Sequence, residues 1–269
     1  MKEYVQEGIS RLADPQTARS WVREYLQARI LESLQAAGAM AAIAFHGGTC
    51  LRFLYSTPRY SEDLDFALER PSVPHDFGQW VRRTERDFAA EGYTVDSQVR
   101  NDRPVHSAFI RFPGLLFELG LSAQRTEALA VKLEVDTQPP AGAGCETTLV
   151  RRHVLLNLFH HDRGSLLAGK LHAVLTRPWV KGRDLYDLMW YLSDRSWPQP
   201  NLSMLSNALV QSGWTGSEPG PDTWKGILEG RLEELDWKQA VNDVQPFVEK
   251  PAELQILTRE TFSRLLARE

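Results

Sequence analysis

Asp63 and Asp65 stand one residue apart in "SEDLDFAL", and shortly before them "AFHGGTC" sets two glycines, Gly47 and Gly48, ahead of Thr49. A glycine pair between an apolar strand and a helix leaves main-chain N–H groups unblocked at the helix start. Such groups hold an anion, commonly a phosphate. The next strand brings two carboxylates to the same place. Carboxylates repel phosphates, so the combination makes chemical sense when a divalent cation lies between them. Magnesium fits, with manganese as the alternative, because it takes a few carboxylates together with phosphate oxygens. A pair of such ions can activate an attacking hydroxyl and stabilise a leaving pyrophosphate. Each half of the pattern also has a plainer reading. Glycine pairs before helices are common, and Asp-x-Asp on an amphipathic strand is ordinarily a solvated face. The order strand, glycine pair, helix, strand, Asp-x-Asp favours the metal and phosphate chemistry.

The surrounding elements must deliver these groups to one place. "MAAIAF" (40–45) reads as a buried strand running into the glycines, and residues 48–55 as a helix stopped by Pro58. "EDLDFAL" (62–68) alternates strictly, so Asp63 and Asp65 share one face of a strand. A site of this kind needs a third carboxylate on a neighbouring strand. "ALAVKLEVD" (128–136) offers one, with Lys132, Glu134 and Asp136 on a common face. Spacing alone leaves Glu134 and Asp136 open.

Elsewhere, Asp14-Pro15 predicts an N-cap and a helix to about Ala36. Residues 74–92 read as a helix, and 93–99 and 105–112 as strands. The Pro, Gly and Thr-rich segment 137–148 reads as a loop. Beyond "LVRRHVLLNLF" the pattern is helical to the end, with helices predicted at 165–177, 182–194, 202–211, 222–231, 236–245 and 251–267. That shift sets a boundary near residue 160: an α/β domain over 1–160 and a helical domain over 161–269. On the second of these helices Asp184 and Asp187 lie three apart, on one face. They can orient Lys170, Lys181 and Arg183 toward a triphosphate, or simply bridge two helices.

The bulk numbers exclude several classes. The chain has 269 residues, is 42% hydrophobic and 25% charged, and carries a net charge of −4, so no global basic field points to nucleic acid. Two cysteines without metal spacing are expected to be free thiols in a reducing cytoplasm. The N-terminus carries charges where a signal peptide needs an apolar run, and no stretch is long and apolar enough for a membrane helix. There is no Walker loop and no G-x-G-x-x-G after a strand. The histidines of "FHHDR" (159–163) read as a solvated junction rather than as ligands, and the N-terminal arginines and Arg151-Arg152 as solvated surface.

"HGGTCLRFLYSTPRYSEDLDF" resembles the first motif of the AbiEii-type nucleotidyltransferase toxins, members of the polymerase-beta-like superfamily. The matching positions are Gly47, Gly48, Thr49, Leu51 and Arg52, then Arg59, Ser61, Asp63, Leu64, Asp65 and Phe66. The family's third acidic strand matches Lys132-Leu133-Glu134 and so favours Glu134 over Asp136. Its later helical motif matches Lys170, Lys181, Arg183, Asp184, Tyr186, Asp187 and Leu188. The resemblance spans roughly residues 40–194.

It implies a mixed-sheet nucleotidyltransferase core followed by helices that contribute to the nucleotide site. Asp63, Asp65 and Glu134 become metal ligands and, with Lys170 and Asp187, catalytic residues. Gly47, Gly48, Thr49, Arg52, Ser61, Lys132, Lys181, Arg183 and Asp184 become nucleotide-binding residues. The implied role is a toxin of a toxin–antitoxin or abortive-infection system in the cytoplasm. Its substrate is a nucleoside triphosphate, and its preferred acceptor is the 3′ end of tRNA. Its counterpart is a cognate antitoxin protein or antitoxin-encoded regulator, and no membrane is involved. The alternatives are transfer to a protein or small molecule, and a nucleotide-binding module without catalysis.

Overall fold

The structure is a computed structural model that describes residues 2–12 and 14–268. Helices α1 (Lys2–Ser10) and α2 (Pro15–Ala36) open the chain. Asp14 caps α2 by accepting from the Thr17 N–H, with Pro15 at the first turn, as the sequence predicts. Then follow β1 (Ile43–His46), α3 (Gly47–Tyr55), β2 (Asp63–Leu68), α4 (Phe77–Ala90), β3 (Asp96–Arg100), β4 (Val105–Pro113), α5 (Leu115–Glu118), β5 (Ala128–Asp136), β6 (Cys145–Arg152) and β7 (Val154–His161). Helices α6 (Arg163–Thr176), α7 (Gly182–Ser193), α8 (Leu202–Gln211), α9 (Trp224–Glu233), α10 (Trp237–Val244) and α11 (Arg259–Leu266) complete it.

Some boundaries differ from the sequence expectations. Residues 39–41 form a 3-10 turn, so the first strand starts at Ile43 and takes in His46. The expected strand over 93–99 begins at Asp96, because Tyr93 is drawn into the core against Phe88 and Phe112. The expected loop over 137–148 ends early, since β6 starts at Cys145. Strands β6 and β7 meet at His153, whose φ of +57° makes the reversal with neither glycine nor proline to signal it. The helix expected over 251–267 is a 3-10 segment (Pro251–Ile256) and then α11, restarted by Thr258 as its N-cap.

The seven strands form one mixed sheet in the order β3-β4-β5-β2-β1-β7-β6. β2 runs antiparallel to β1 and parallel to β5, and β5 is antiparallel to β4. The alternation in β2, β4 and β5 sends Leu64, Phe66, Ile110, Phe112, Val131 and Leu133 to a single buried face. There Phe112 meets Phe88 of α4 edge-on, and Phe45 packs against Phe66 and against Phe53 of α3.

The chain divides into two compact units. The sheet unit runs to Tyr55 and includes Tyr60–Gln138 and Thr147–His160. The helical unit is discontinuous in sequence: it comprises Ser56–Arg59, Pro139–Glu146 and the chain from His161 onward. Its own core is built around Leu171, Leu185, Leu188, Leu228, Val244 and Phe262.

Within the sheet unit Glu24 of α2 is a buried electrostatic anchor. Its carboxylate takes Arg52 Nε at 2.5 Å and Arg152 Nη2 at 3.0 Å, and accepts from His153 Nε2 at 3.2 Å. The other ring nitrogen of His153 lies 3.1 Å from the Tyr4 hydroxyl, with Trp21 and Tyr25 against its ring. Burial by itself would raise the Glu24 pKa, but the His153 hydrogen bond and the two arginine charges bring it down to about 2. A carboxylate depressed from 4.5 to about 2 stabilises the fold above the unfolded value and stops doing so as pH falls through the folded one. On the order of 3 kcal/mol of unfolding free energy should therefore be lost between pH 4.5 and pH 2. Denaturant titrations across that range should show the loss in the wild type and a markedly flatter profile in Glu24→Gln.

Candidate active site

The turn between β1 and α3 is shaped by a contact only glycine allows. Gly47 has φ +77°, and a Cβ there would stand 2.6 Å from Asp65 Oδ2. The start of α3 is thus pressed against the second carboxylate of β2. Gly47 is half-buried and Gly48 buried. Thr49 takes a different part from the one the sequence suggests: it is fully buried, and its hydroxyl donates to the main-chain carbonyl of Asp63. It ties the helix start to the acidic strand instead of presenting a hydroxyl to a ligand. Arg52 likewise turns inward, pairing with Glu24 and lying over the Tyr60 ring. Its charge is taken up within the fold and not offered to a nucleotide. Ser61 accepts at its main-chain oxygen from Gln27 Nε2 at 3.0 Å.

Sheet register aligns the carboxylates. His46 opposes Asp65, Asp65 opposes Glu134, and Glu134 opposes Ser107, in one row across four strands. The adjacent row runs Asp63, Lys132, Phe109. Asp63, Asp65 and Glu134 therefore share the face opposite the core, and all are half-buried. Lys132 Nζ lies 2.9 Å from Glu134 Oε1. Asp136 sits one step further along, opposite Ala67, and its carboxylate accepts the Gln138 N–H at 2.9 Å.

The helical unit carries a second cluster. Arg59 and Asp187 make two parallel hydrogen bonds, Nε to Oδ1 and Nη2 to Oδ2, both 2.6 Å, with side chains 2% and 0% exposed. Lys170 Nζ reaches Asp187 at 2.7 Å and Asp184 at 2.9 Å, and Arg177 also pairs with Asp184. Burial opposes the charge on Arg59, but Asp187 outweighs it and holds the guanidinium pKa above its ordinary value. Lys170 is held high in the same way by Asp184 and Asp187. For Asp184, burial is overcome by Lys170 and Arg177, and its pKa is lowered. Next to Asp187 on α7, the Tyr186 hydroxyl donates to Glu253; burial first, then that carboxylate, raises the phenol pKa.

Gly182 lets α7 begin hard against α10: a Cβ would stand 1.8 Å from the Ala240 carbonyl oxygen, and the Gly182 N–H donates to Asp243. Lys181 precedes it, exposed, and Arg183 lies over the Phe247 ring.

Arg59 is the residue whose role the sequence hid. It stands in the R-x-S-x-D-L-D-F motif, yet nothing local shows that its partner lies 128 positions away. The paired histidines are not a solvated junction: His160 and His161 are both buried, and His160 Nε2 bonds Thr148. The N-terminal arginines are ion-paired, Arg19 with Glu127, Arg23 with Glu62 and Arg29 with Glu32 and Glu91.

The mixed sheet thus sets a glycine turn against an Asp-x-Asp strand, with a third acidic strand in register beside it. The chain belongs to the nucleotidyl transferase AbiEii toxin family of type IV toxin–antitoxin systems, whose pattern matches residues 29–268. Its fold is similar to that of MenT4, a nucleotidyltransferase toxin from Mycobacterium tuberculosis H37Rv. The TM-score is 0.61 at 17% identity, over 98% of this chain and 90% of that one. A weaker likeness, TM-score 0.46 at 16% identity, covers 91% of this chain and 94% of JHP933 from Helicobacter pylori. Among curated proteins, none matches by sequence. Among the described residues no helix is long and apolar enough to cross a membrane.

The buried Arg59–Asp187 pair yields a stability prediction. Removing either partner leaves an uncompensated buried charge, so Arg59→Ala or Asp187→Ala should each cost about 3–5 kcal/mol in chemical denaturation. Arg59→Lys should recover only part, since lysine lacks the planar fork for two parallel bonds. A loss below about 1 kcal/mol in both alanine variants would show that the pair does not hold the helical unit together.

Proposed function

We propose that this protein is a metal-dependent toxin that transfers a nucleoside monophosphate from a nucleoside triphosphate to the 3′-terminal hydroxyl of tRNA, stopping translation. The carrying observation is the register that sets Asp65 beside Glu134 on the Asp63 face, with Gly47 pressed on Asp65. The donors are all hard carboxylate oxygens on a half-open face, which suits magnesium. Asp63, Asp65 and Glu134 would hold the ion, which supplies charge stabilisation for the attacking and leaving oxygens. The turn at Gly47-Gly48 and the start of α3 receive phosphate through main-chain N–H groups. Lys132, now paired with Glu134, neutralises that carboxylate until a nucleotide arrives. In the transfer, the acceptor oxygen bonds to the α-phosphorus and the bond to the bridging oxygen breaks. Pyrophosphate departs with the electron pair, and the hydroxyl proton passes to solvent.

Lys170 is proposed to act on phosphate as a point charge. Support comes from its cluster, in which three cations, Arg59, Lys170 and Arg177, share the two carboxylates Asp184 and Asp187. The tRNA acceptor and the antitoxin counterpart rest on the family's likeness.

Three experiments test this reading. Asp63→Asn and Asp65→Asn should each lower transfer on the order of 100-fold or more while the thermal transition stays in place. Glu134→Gln should do similar harm and Asp136→Asn little. Wild-type enzyme with labelled nucleotides and cell extract should yield label that ribonuclease removes and protease does not; the reverse pattern points to a protein acceptor. Lys170→Ala leaves two carboxylates with Arg59 and Arg177, so the fold should survive. Nucleotide affinity measured without acceptor should then fall, and an unchanged affinity would take Lys170 out of the site.

A further inference from the structure

The open face that carries the carboxylates does not end at Glu134. It continues over β4 and β3 as Val105, Ser107 and Phe109, then Gln98 and Arg100. Phe109 is 42% exposed and Val105 44%, on a strand, β4, whose other face buries Ala108, Ile110 and Phe112. Lys132 Nζ lies 5.8 Å from the Phe109 ring centre, which puts the ring on the carboxylate side of the sheet. Phe109 opposes Lys132, which opposes Asp63, so the ring lies two strand spacings, ~10 Å, from that aspartate. Arg100 is exposed and opposes Ser107, at the far end of the row that passes through Glu134 and Asp65. Arg111, by contrast, is neutralised by Asp96 at 2.6 Å.

Reaction geometry gives this surface a direction. The phosphate-receiving turn follows β1, on one side of β2, while β5, β4 and β3 lie successively on the other. In phosphoryl transfer the attacking and leaving oxygens stand roughly in line across the phosphorus. With pyrophosphate held toward the β1 side, an acceptor hydroxyl in line with it along the strand order comes from the β5 and β4 side. The nucleoside of the triphosphate hangs from an oxygen off that line.

We infer that the open face of β4 and β3 is the acceptor platform, where Phe109 stacks the terminal nucleobase of the incoming strand and Arg100 meets its backbone phosphate. The inference rests on the transferase reading above and adds to it how the acceptor is recognised. An exposed aromatic beside basic side chains is the chemistry by which single-stranded nucleic acid is held without base-pair readout.

The test is steady-state transfer from a labelled nucleoside triphosphate to deacylated tRNA by the full-length protein, with Phe109→Ala, Phe109→Trp and Arg100→Gln. Phe109→Ala should raise the acceptor KM roughly ten-fold or more, and Phe109→Trp should restore it. Arg100→Gln should raise KM less and weaken its dependence on salt. Nucleotide affinity without acceptor and the thermal transition should match wild type throughout. An unchanged acceptor KM in Phe109→Ala, or an equal loss of nucleotide affinity, overturns the inference while leaving the transferase reading intact. Wild-type enzyme that does not label tRNA overturns the acceptor reading and this one together, and that result is visible before any substitution is made.

Discussion

The chemistry of the sheet unit depends on the register of one six-residue strand, β2. Side chains alternate along a strand, so a slip of one residue exchanges its two faces completely. In the observed register Leu64 and Phe66 are buried and Asp63 and Asp65 face the other way. The slipped strand would bury both aspartates and expose both apolar side chains. Each large apolar group contributes about 1.5–3 kcal/mol on burial, and a buried unpaired charge costs more than that. The packing that stabilises the sheet is therefore also what aims the carboxylates. Because β5 runs parallel to β2, the same register carries Glu134 to Asp65.

Charge is distributed unevenly, and in a direction that suits the chemistry. At Glu24 one carboxylate is met by Arg52, Arg152 and His153, and in the helical unit two carboxylates are met by three cations. In both places the anions are over-matched. The acidic row is the reverse, with Asp63, Asp65 and Glu134 sharing their face with Lys132. A surplus of carboxylates at a half-open surface lowers the cost of receiving a divalent ion, and a surplus of ammonium and guanidinium lowers the cost of receiving phosphate.

What could be seen in the sequence was whatever has a short period. The alternation around Asp63 and Glu134, the Asp14 cap and the helix at 202–211 are encoded by neighbours, and they form where the pattern says. The reversal at His153 was invisible because a histidine at positive φ carries no turn signal. Residues 145–148 looked like loop because Gly144 and the threonines outweigh a short strand start. For Thr49 and Arg52 the residue types were legible and their partners were not. The Asp63 carbonyl and the Glu24 carboxylate are brought to them by tertiary packing, and both side chains face inward as a result. The exposure of Phe109 likewise emerges only once one face of β4 is known to be covered and the other open.

The segment Ser56–Arg59 belongs to the helical unit although the sheet unit surrounds it in sequence. Besides the Arg59–Asp187 pair, its Pro58 carbonyl accepts the Glu249 N–H, and Arg59 bridges to Val248. During synthesis this guanidinium leaves the ribosome long before the carboxylate that will neutralise it. The sheet unit is then nearly all made while one of its connections still awaits the last helices. A nascent or truncated chain would carry the acidic strand in full but lack what secures the loop leading into it. In chain order, then, the loop that leads into β2 finds its fixed partners only after α7 and the segment at Val248 and Glu249 have been made.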